Sequence, residues 1–488
     1  MADIYRPSLR LRPSEQRFIL VLGDLIASAG AMFIALYIWY QFSLAREIER
    51  LIERGFNPDR AERMALSIID LKIPFWFYLL PLVWLLLLVD SYEIHTASNW
   101  KKTLRSIAVA PVVGLLGYSL IFTINQDPNS LPRIGIGAFL VLASLLTLGW
   151  RGIYIRLYTS SGFMRRVLIV GAGKAGHTLA DNYRKISPPP FLLIGFVDDD
   201  PKKQGKPHHG FAVLGTSKNL LDIIEDYHIS DIVVAINGEI KGETFQTILD
   251  AQEKGIEIVR MPIMYEEMTQ RVPVEHLESD WVIRSFVDQV RVSGMYELFK
   301  RLMDIVGGLL GLLIFLIIFP FFAIAIVIES GSPILYSQER LGKGGRIFRI
   351  RKFRSMWQNA EEDGEAKLAT INDPRVTRVG NFLRRTRMDE MPQFISVLTG
   401  EMSLVGPRAE RPELVAQFQK QIPFYRARLL VKPGLTGWAQ INHGYVATVK
   451  ETVVKLEYDL YYIKHRTLNM DFNIVLRTIG TVLRRTGV

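Results

Sequence analysis

Long apolar runs separated by short polar stretches dominate the first third of the chain. Four of them run roughly from Arg17 to Phe42, Ile73 to Val89, Ile107 to Ile124 and Ile134 to Tyr154. Each is near the ~20 residues that a helix needs to cross the hydrocarbon core of a bilayer. Buried helices of a soluble core are the alternative, but four long, nearly uncharged runs in succession are rare in soluble folds. The pattern predicts four transmembrane helices over 1–158. The rhythm then changes. Val167-Leu168-Ile169-Val170 suits a buried parallel strand. Leu192–Val197 and Ile232–Ala235 read as further strands, with an amphipathic helix near Leu220–Asp226 between them. Alternating strands and helices predict a Rossmann-like, doubly wound α/β middle domain over 159–275. A fifth apolar run, Leu302–Ile328, is broken by Pro320. A basic segment rich in helix-compatible stretches follows, so an α-rich C-terminal domain is expected over 290–488.

Charge gives these runs an orientation. Arg6, Arg10, Arg12 and Arg17 precede the first run. Lys101, Lys102 and Arg105 lie between the second and third, and Arg151, Arg156, Arg165 and Arg166 follow the fourth. The loop around Gln126–Ser130 has no Lys or Arg. The positive-inside rule puts the N-terminus and everything after the fourth run in the cytoplasm. The fifth run is basic on both sides: Lys300 and Arg301 before it, Arg340, Lys343, Arg346, Arg349, Arg351 and Lys352 after it. A fifth spanning helix would put one basic flank outside. A re-entrant hairpin over 302–328, bent at Pro320, keeps both flanks inside, and its freed backbone groups would need partners within the protein.

Composition narrows the chemistry. A net charge of +10 and a mean hydropathy of +0.16 fit a membrane protein facing anionic headgroups or phosphate-bearing substrates. No recognisable nucleic-acid module accompanies the charge, so nucleic acid is not an expected partner. With no Cys among 488 residues, a disulfide frame, a thiol nucleophile and a Cys-based zinc site are excluded. The first apolar stretch is too long for a cleaved signal peptide and has no small-residue cleavage site behind it.

Gly171, Gly173 and Gly176 form a Gly-x-Gly-x-x-Gly loop between a strand and a helix. Such a loop lets the backbone approach a pyrophosphate at a helix N-terminus, and Asp198, after the next strand, could hold a ribose hydroxyl. The same loop also occurs in Rossmann-like domains that keep the turn without the ligand. A nucleotide-sugar dehydratase or epimerase built on it would need a Tyr-x-x-x-Lys pair. Tyr296–Lys300 has that spacing, but it sits where an interfacial aromatic and a snorkelling cation are expected before a membrane run.

The densest chemistry lies between Ser332 and Trp438. It comprises Gln338-Glu-Arg340-Leu-Gly342, Arg351-Lys352-Phe353-Arg354-Ser355-Met356, Asp373-Pro374-Arg375, Leu383-Arg384-Arg385, Met388-Asp389-Glu390-Met391-Pro392-Gln393, Met402-Ser403-Leu404-Val405-Gly406-Pro407-Arg408 and Lys432-Pro433-Gly434-Leu435-Thr436-Gly437. Cations surround one carboxylate pair. Arg forks recognise phosphate oxygens, carboxylates bind Mg²⁺ together with substrate phosphates, and a carboxylate can attack phosphorus. A solvated basic surface against anionic lipid explains the cations alone. It leaves unexplained an Asp389-Glu390 pair among apolar neighbours.

From about Lys300 to the C-terminus these motifs resemble the bacterial sugar transferase family, the monotopic polyprenyl-phosphate sugar-1-phosphate transferases. The whole layout resembles the large members of that family. The resemblance implies that Asp389 attacks the β-phosphate of a UDP-sugar and releases UMP. The aspartyl-linked sugar phosphate then passes to undecaprenyl phosphate, which initiates exopolysaccharide, capsule or O-antigen synthesis at the inner membrane. By the same resemblance Mg²⁺ is the cofactor, bound at Asp389 and Glu390, and Lys352 contacts phosphate or the dyad. Arg354, Arg375, Arg408 and Gln393 fall in motif positions for substrate phosphates. UDP-glucose or UDP-galactose is the expected donor. The middle domain is expected to regulate, to sense a nucleotide, or to join copies into a homo-oligomer. Two departures stand out: Met388 replaces the usual Leu before the dyad, and His443-Gly444-Tyr445 replaces a usual Gly-Arg, leaving His443 or another Arg to fill that role. A dehydratase or epimerase, and a non-catalytic scaffold for polysaccharide assembly, are the rival readings.

Overall fold

The computed structural model describes residues 13–68, 73–92, 97, 100–124, 132–158, 164–208, 210–240, 242–277, 293–357, 373–444 and 448–483. Arg6, Arg10, Arg12, the Gln126–Ser130 loop and Tyr445 lie outside them. The chain forms two compact units: 1–172 with 180–232 and 241–258, and 173–179 with 233–240 and 259–488.

The first unit opens with helices α1 (Pro13–Glu53), α2 (Pro58–Ile68), α3 (Leu80–Leu87), α4 (Trp100–Ile124) and α5 (Arg133–Tyr158). Within α1, α4 and α5, the stretches Glu15–Glu53, Thr103–Thr123 and Arg133–Leu157 are long and apolar enough to cross a membrane. The expected second span differs. It is a short apolar helix, Phe75–Leu87, that starts as a 3-10 turn over Phe75–Leu79. Pro74 is the N-cap of that turn and Pro81 lies in the first turn of the α-helix that follows, positions where a missing N–H costs little. At 1.5 Å per residue the segment reaches roughly 20 Å, short of the ~30 Å core. α1, by contrast, outruns its apolar stretch. Its polar end continues to Glu53, and α2 folds back on it over Leu51, Ala61 and Ala65.

Polar groups inside this bundle are paired. The Arg151 guanidinium donates to Asp24 Oδ2 from Nη2 (2.6 Å) and Nε (3.1 Å), and Nη1 donates to the Ser91 carbonyl (2.9 Å). Both side chains are fully enclosed. Trp84 Nε1 donates to Thr147 Oγ1 at 2.9 Å. A buried charge is tolerated only in such company.

The middle domain is built on a six-stranded sheet, ordered β3-β4-β2-β1-β5-β6. Its strands are β1 (Arg166–Val170), β2 (Leu192–Val197), β3 (Pro207–His208), β4 (Phe211–Gly215), β5 (Asp231–Val234) and β6 (Glu257–Arg260). β1, β2 and β4 pair in parallel. Helices α6 (Lys174–Arg184), α7 (Leu220–Asp226) and α8 (Gly242–Glu253) alternate with the strands, as the apolar runs predicted.

The second unit contains α9 (Met261–Thr269), α10 (Gly294–Ser330) and an antiparallel hairpin of β7 (Leu335–Leu341) and β8 (Ile347–Phe353). α11 (Arg378–Arg385), a 3-10 turn over Met388–Gln393, α12 (Phe394–Thr399), β9 (Ser403–Val405), α13 (Pro412–Phe418), β10 (Gly434–Thr436), α14 (Trp438–Asn442), α15 (Val449–His465) and α16 (Leu468–Leu483) complete it. Its core joins Val272 and Val274 to Val397, Val405, Trp438, Leu456, Leu460 and Ile474. The segment through Val274, expected to close the middle domain, is therefore part of this core.

The Asp24–Arg151 pair generates a prediction. Asp24→Asn leaves a buried guanidinium uncompensated, so it is expected to cost about 3–5 kcal/mol. Thermal unfolding of the detergent-solubilised protein would read this as a markedly lower midpoint, and an unchanged midpoint would contradict it.

Candidate active site

The site is built on α10. This helix runs unbroken from Gly294 to Ser330 with Pro320 inside it, where the expectation was two limbs joined at a bend. Pro320 donates no N–H, so one turn lacks its hydrogen bond without the helix ending. Both ends of α10 are fastened within the second unit. Near its start, Lys300 Nζ donates to the Val405 carbonyl (3.0 Å), and Arg301 donates to the Val397 and Leu398 carbonyls (2.9 and 2.7 Å). Asp304 accepts from Ser403 Oγ and the Leu404 amide, both at 2.9 Å. At its end, Glu329 accepts the Arg378 and Val379 amides (2.7 and 2.9 Å), placing a carboxylate on the N-terminus of α11. Thr377 Oγ1 caps the same helix through the Gly380 amide.

Between those ends, α10 presses close to α12. A Cβ on Gly311 would lie 2.4 Å from the Phe394 ring, and one on Gly308 2.8 Å from Leu398. Further along, Phe315 and Ile326 pack with Phe353 and Leu383, and Met388 and Met391 join this cluster. Those two methionines flank Asp389-Glu390. The dyad therefore rides on the apolar cluster that seats the membrane-type helix, and Met388 fills the place of the usual Leu there.

Asp389 and Glu390 are both buried in the 3-10 turn, yet their surroundings differ. Glu390 Oε1 accepts from Lys352 Nζ (2.8 Å) and from Arg408 Nη2 (2.6 Å). Burial alone would raise its carboxyl, but Arg408 and Lys352 outweigh it and hold Glu390 well below the usual range. Asp389 accepts no hydrogen bond among the described residues. Burial first, and then the Glu390 charge, push its carboxyl up, against Lys352, Arg408 and Arg384. Arg387, just before the turn, has φ +57° and ψ 16°. A left-handed backbone at a non-glycine residue is the kind of strain found at functional sites.

Of the predicted residues, Lys352, Asp389, Glu390 and Arg408 meet. Gln393 is buried at the end of the same turn. Arg354 is differently placed: its Nη2 donates to the Ser330 carbonyl and hydroxyl and to the Gly331 carbonyl, closing the end of α10. Lys352 and Arg354 are two apart on an extended segment. Arg375 is gripped by Asp373 through Nε (2.9 Å) and Nη2 (2.6 Å). Tyr296 and Lys300 are part of a buried network rather than a membrane interface. Tyr296 Oη donates to Asp471 Oδ2 (2.8 Å), and Lys300 pairs with Asp471 (3.1 Å). His443 lies against Tyr458, with ring centres 6.2 Å apart.

In the middle domain Gly171 has φ +108°, the conformation a tight turn needs. Gly173 and Gly176 border and enter α6. Asp198 is already engaged: Oδ2 accepts the Ala172 amide (2.7 Å) and Lys203 Nζ (2.9 Å), and Oδ1 accepts the Asp200 amide. An acid that closes its own loop has less to offer a ribose.

Sequence reasoning passed over Arg384 as a site residue. Its Nε donates to Ser355 Oγ (3.0 Å), and its charge acts on Asp389. The signal was available: a Thr377 cap starts a helix whose last turn delivers Arg384 next to the dyad. Gly380 is what lets that helix dock, since a Cβ there would sit 2.1 Å from the Ser355 carbonyl.

The pattern of the family described as "Bacterial sugar transferase" matches residues 295–485, and that described as "CoA-binding domain" matches 88–262. The chain belongs to the bacterial sugar transferase family. It is 45% identical, over 46% of its length and 51% of the relative's, to the UDP-N-acetylgalactosamine-undecaprenyl-phosphate N-acetylgalactosaminephosphotransferase of Aeromonas hydrophila. It is 33% identical to the UDP-glucose:undecaprenyl-phosphate glucose-1-phosphate transferase of Escherichia coli (strain K12), over 64% of this chain and 67% of that one. A protein of the same name from Caulobacter vibrioides is 40% identical over 38% of this chain and 70% of its own. The match thus spans about half the length of the Aeromonas relative and two thirds or more of the other two.

No group of three or more His, Asp or Glu side chains converges on a metal-sized space among the described residues. Lys352 and Arg408 both engage Glu390 Oε1, so a divalent ion expected at Asp389 and Glu390 would need substrate phosphates to complete its ligands. Mg²⁺ commonly binds in that way, through one or two carboxylates plus phosphate.

In the second unit α9 also meets α15. Tyr265 Oη donates to Glu457 Oε2 (3.2 Å), and Arg271 lies 3.4 Å from the same oxygen. Burial pushes the Glu457 carboxyl up to about 7 despite Arg271. Between the ordinary value near ~4.3 and 7, the folded protein holds a proton that the unfolded chain has released. Stability should therefore fall as pH rises through that window, by roughly 3 kcal/mol in all. Glu457→Gln is expected to gain thermal stability relative to the native chain between pH 5 and pH 8. A stability difference that does not change with pH would contradict this.

Proposed function

We propose that this chain transfers a hexose-1-phosphate from a UDP-sugar to a polyprenyl phosphate, undecaprenyl phosphate by the names of its relatives, with Asp389 as nucleophile. One observation carries the reading: of two adjacent buried carboxylates, that of Glu390 is clamped by Lys352 and Arg408, while that of Asp389 accepts no hydrogen bond among the described residues. A free Asp389 oxygen attacks the β-phosphorus of the donor, and the bond from that phosphorus to the bridging oxygen breaks. UMP leaves with the bridging oxygen. A phosphate oxygen of the lipid then attacks the phosphorus of the aspartyl phosphosugar, which restores the carboxylate and yields the lipid diphosphosugar. A covalent intermediate lets a soluble and a lipid substrate visit one site in turn.

Lys352, Arg384 and Arg408 set fixed positive charge around the reacting phosphates, which offsets the approach of an anionic nucleophile to an anionic phosphate. Lys352 and Arg408 also hold Glu390 in place beside the nucleophile. Mg²⁺ bound through Asp389 and the phosphates would supply further charge neutralisation.

The same reading places the site at the cytoplasmic face of the inner membrane. Straight, α10 would be about 55 Å long, and both of its ends are held by the one unit that carries the dyad. Its apolar outer face, including Phe321 and Ile328 at 71% and 80% exposure, suits lipid. This supports entry and exit of α10 on one side, with the lipid phosphate at the level of Asp389. The middle domain is assigned a regulatory or oligomer-forming role with a nucleotide-type ligand. The dehydratase reading loses its Tyr–Lys pair, since Tyr296 and Lys300 serve Asp471.

The test is UMP release by the detergent-solubilised chain with undecaprenyl phosphate, Mg²⁺ and UDP-glucose, UDP-galactose or UDP-N-acetylgalactosamine. Release from at least one donor, reduced at least a thousandfold by Asp389→Asn and lost on chelation, is the expected outcome. Release that survives Asp389→Asn would rule out the assigned nucleophile. Glu390→Gln is expected to lower kcat roughly a hundredfold, because the charge-assisted clamp to Lys352 and Arg408 is lost. An unchanged kcat in that variant would remove the clamp from the mechanism.

A further inference from the structure

Behind Arg408 lies a buried ionic network that the chemistry above does not use. Arg428, on the 3-10 turn Tyr425–Leu430, is only 4% exposed. Its Nη1 donates to Tyr425 Oη (2.9 Å) and lies 3.4 Å from Glu410 Oε1. Its Nη2 donates to Asp459 Oδ2 (2.8 Å) and to the main-chain carbonyl of Arg408 (3.0 Å). Lys455, one helical turn before Asp459 on α15, donates to Glu410 Oε1 (2.5 Å). Charges enclosed to this degree are costly unless each meets an opposite charge, and here each does.

The geometry of the 406–410 segment gives this network a consequence at the dyad. The Gly406 amide donates to the Thr436 carbonyl, and the Pro407 carbonyl accepts the Gly434 amide, both at 2.9 Å. The Glu410 carbonyl accepts the Leu341 amide (3.0 Å), and the Ala409 carbonyl accepts Arg340 Nη1 (3.3 Å). The Arg408 carbonyl is held by Arg428. Consecutive carbonyls from Pro407 to Glu410 are thus all fixed, which sets where the Arg408 side chain begins its reach to Glu390. That side chain is about one-third exposed and reaches Glu390 at 2.6 Å.

We propose that Arg428 is a positioning residue for the transfer reaction, holding the Arg408 backbone so that the Arg408 guanidinium stays clamped on Glu390. Arg428 touches neither the dyad nor, on this placement, the substrate. The inference rests on the reaction proposed above. Asp459 and Glu410 hold Arg428, and Lys455 holds Glu410, so the network meets the active segment at the Arg408 carbonyl and at Glu410 itself. Displacements of about 1 Å in a catalytic arrangement can cost a hundredfold in rate.

The experiment compares Arg428→Met, Arg428→Lys, Arg408→Lys and the Arg428→Met/Arg408→Lys double variant in the full detergent-solubilised chain. It reads kcat and donor KM for UMP release, with thermal unfolding alongside. Positioning predicts a fall in kcat of at least tenfold in Arg428→Met with KM within threefold, and substantial recovery in Arg428→Lys. It also predicts that Arg428→Met costs less than twofold when Arg408 is already Lys, because the effect travels through Arg408. A wild-type kcat in folded Arg428→Met, or an equal loss in both Arg408 backgrounds, overturns the proposal. Should Arg428→Met not fold, Arg428→Lys replaces it in the cycle: a loss that disappears in the Arg408→Lys background supports positioning, and wild-type kcat or an equal loss overturns it. Asp389→Asn run in parallel separates the two readings. If Asp389→Asn keeps its activity, the reaction reading fails; if it is inactive while the Arg428 variants behave as wild type, only the positioning reading fails.

Discussion

The clamp on Glu390 is the constraint on which the site depends. Two carboxylates side by side in a buried turn repel each other, and one of them must be neutralised by something other than water. Lys352 on β8 and Arg408 after β9 do this for Glu390 at 2.8 and 2.6 Å. The two acids differ as a result: Glu390 is bound into the scaffold, while the carboxylate of Asp389 accepts no hydrogen bond among the described residues. Because Lys352 and Arg408 come from separate elements, the clamp also knits the β7–β8 hairpin to the β9–β10 strand pair. Fold and chemistry are the same set of contacts here.

The apolar side of the turn supplies the second constraint. Met388 and Met391 point the dyad's neighbours into the cluster of Phe315, Ile326, Phe353 and Leu383. The long apolar helix and the turn that carries the dyad therefore share one core. The proposed reaction between a soluble nucleotide sugar and a lipid phosphate fits this geometry, since the proposed nucleophile sits beside the apolar cluster of α10. The strained backbone of Arg387 and the close docking of Gly380 on Ser355 belong to the same arrangement, which is tightly determined around the dyad.

Much of this was legible in the residues. The Rossmann-like strands followed from apolar runs at strand length, and α7 fell where an amphipathic stretch was expected. The Asp389-Glu390 pair stood out in the sequence among crowded cations, and the family resemblance pointed to Lys352 and Arg408, which the fold brings to it. Three features were not. The run at Ile73–Val89 is apolar, yet its helix is the shorter Phe75–Leu87 and opens as a 3-10 turn, and hydropathy does not read helix type or length. Arg354 and Arg375 were expected at substrate phosphates by the family resemblance; here Arg354 Nη2 meets the end of α10 and Arg375 meets Asp373, and local sequence does not show which long side chain reaches which oxygen. Arg428 and Asp459 are separated by 31 positions, and only the fold brings them together behind Arg408.

The central claim is that Asp389, and not Glu390, forms the covalent bond. Mass spectrometry of the protein incubated with a competent UDP-sugar and no acceptor lipid tests it most directly. The account predicts a hexose-phosphate increment on the peptide that contains the dyad, localised by fragmentation to Asp389 and discharged when undecaprenyl phosphate is added. An adduct on Glu390, or UMP release with a trapped adduct nowhere on the chain, would contradict it.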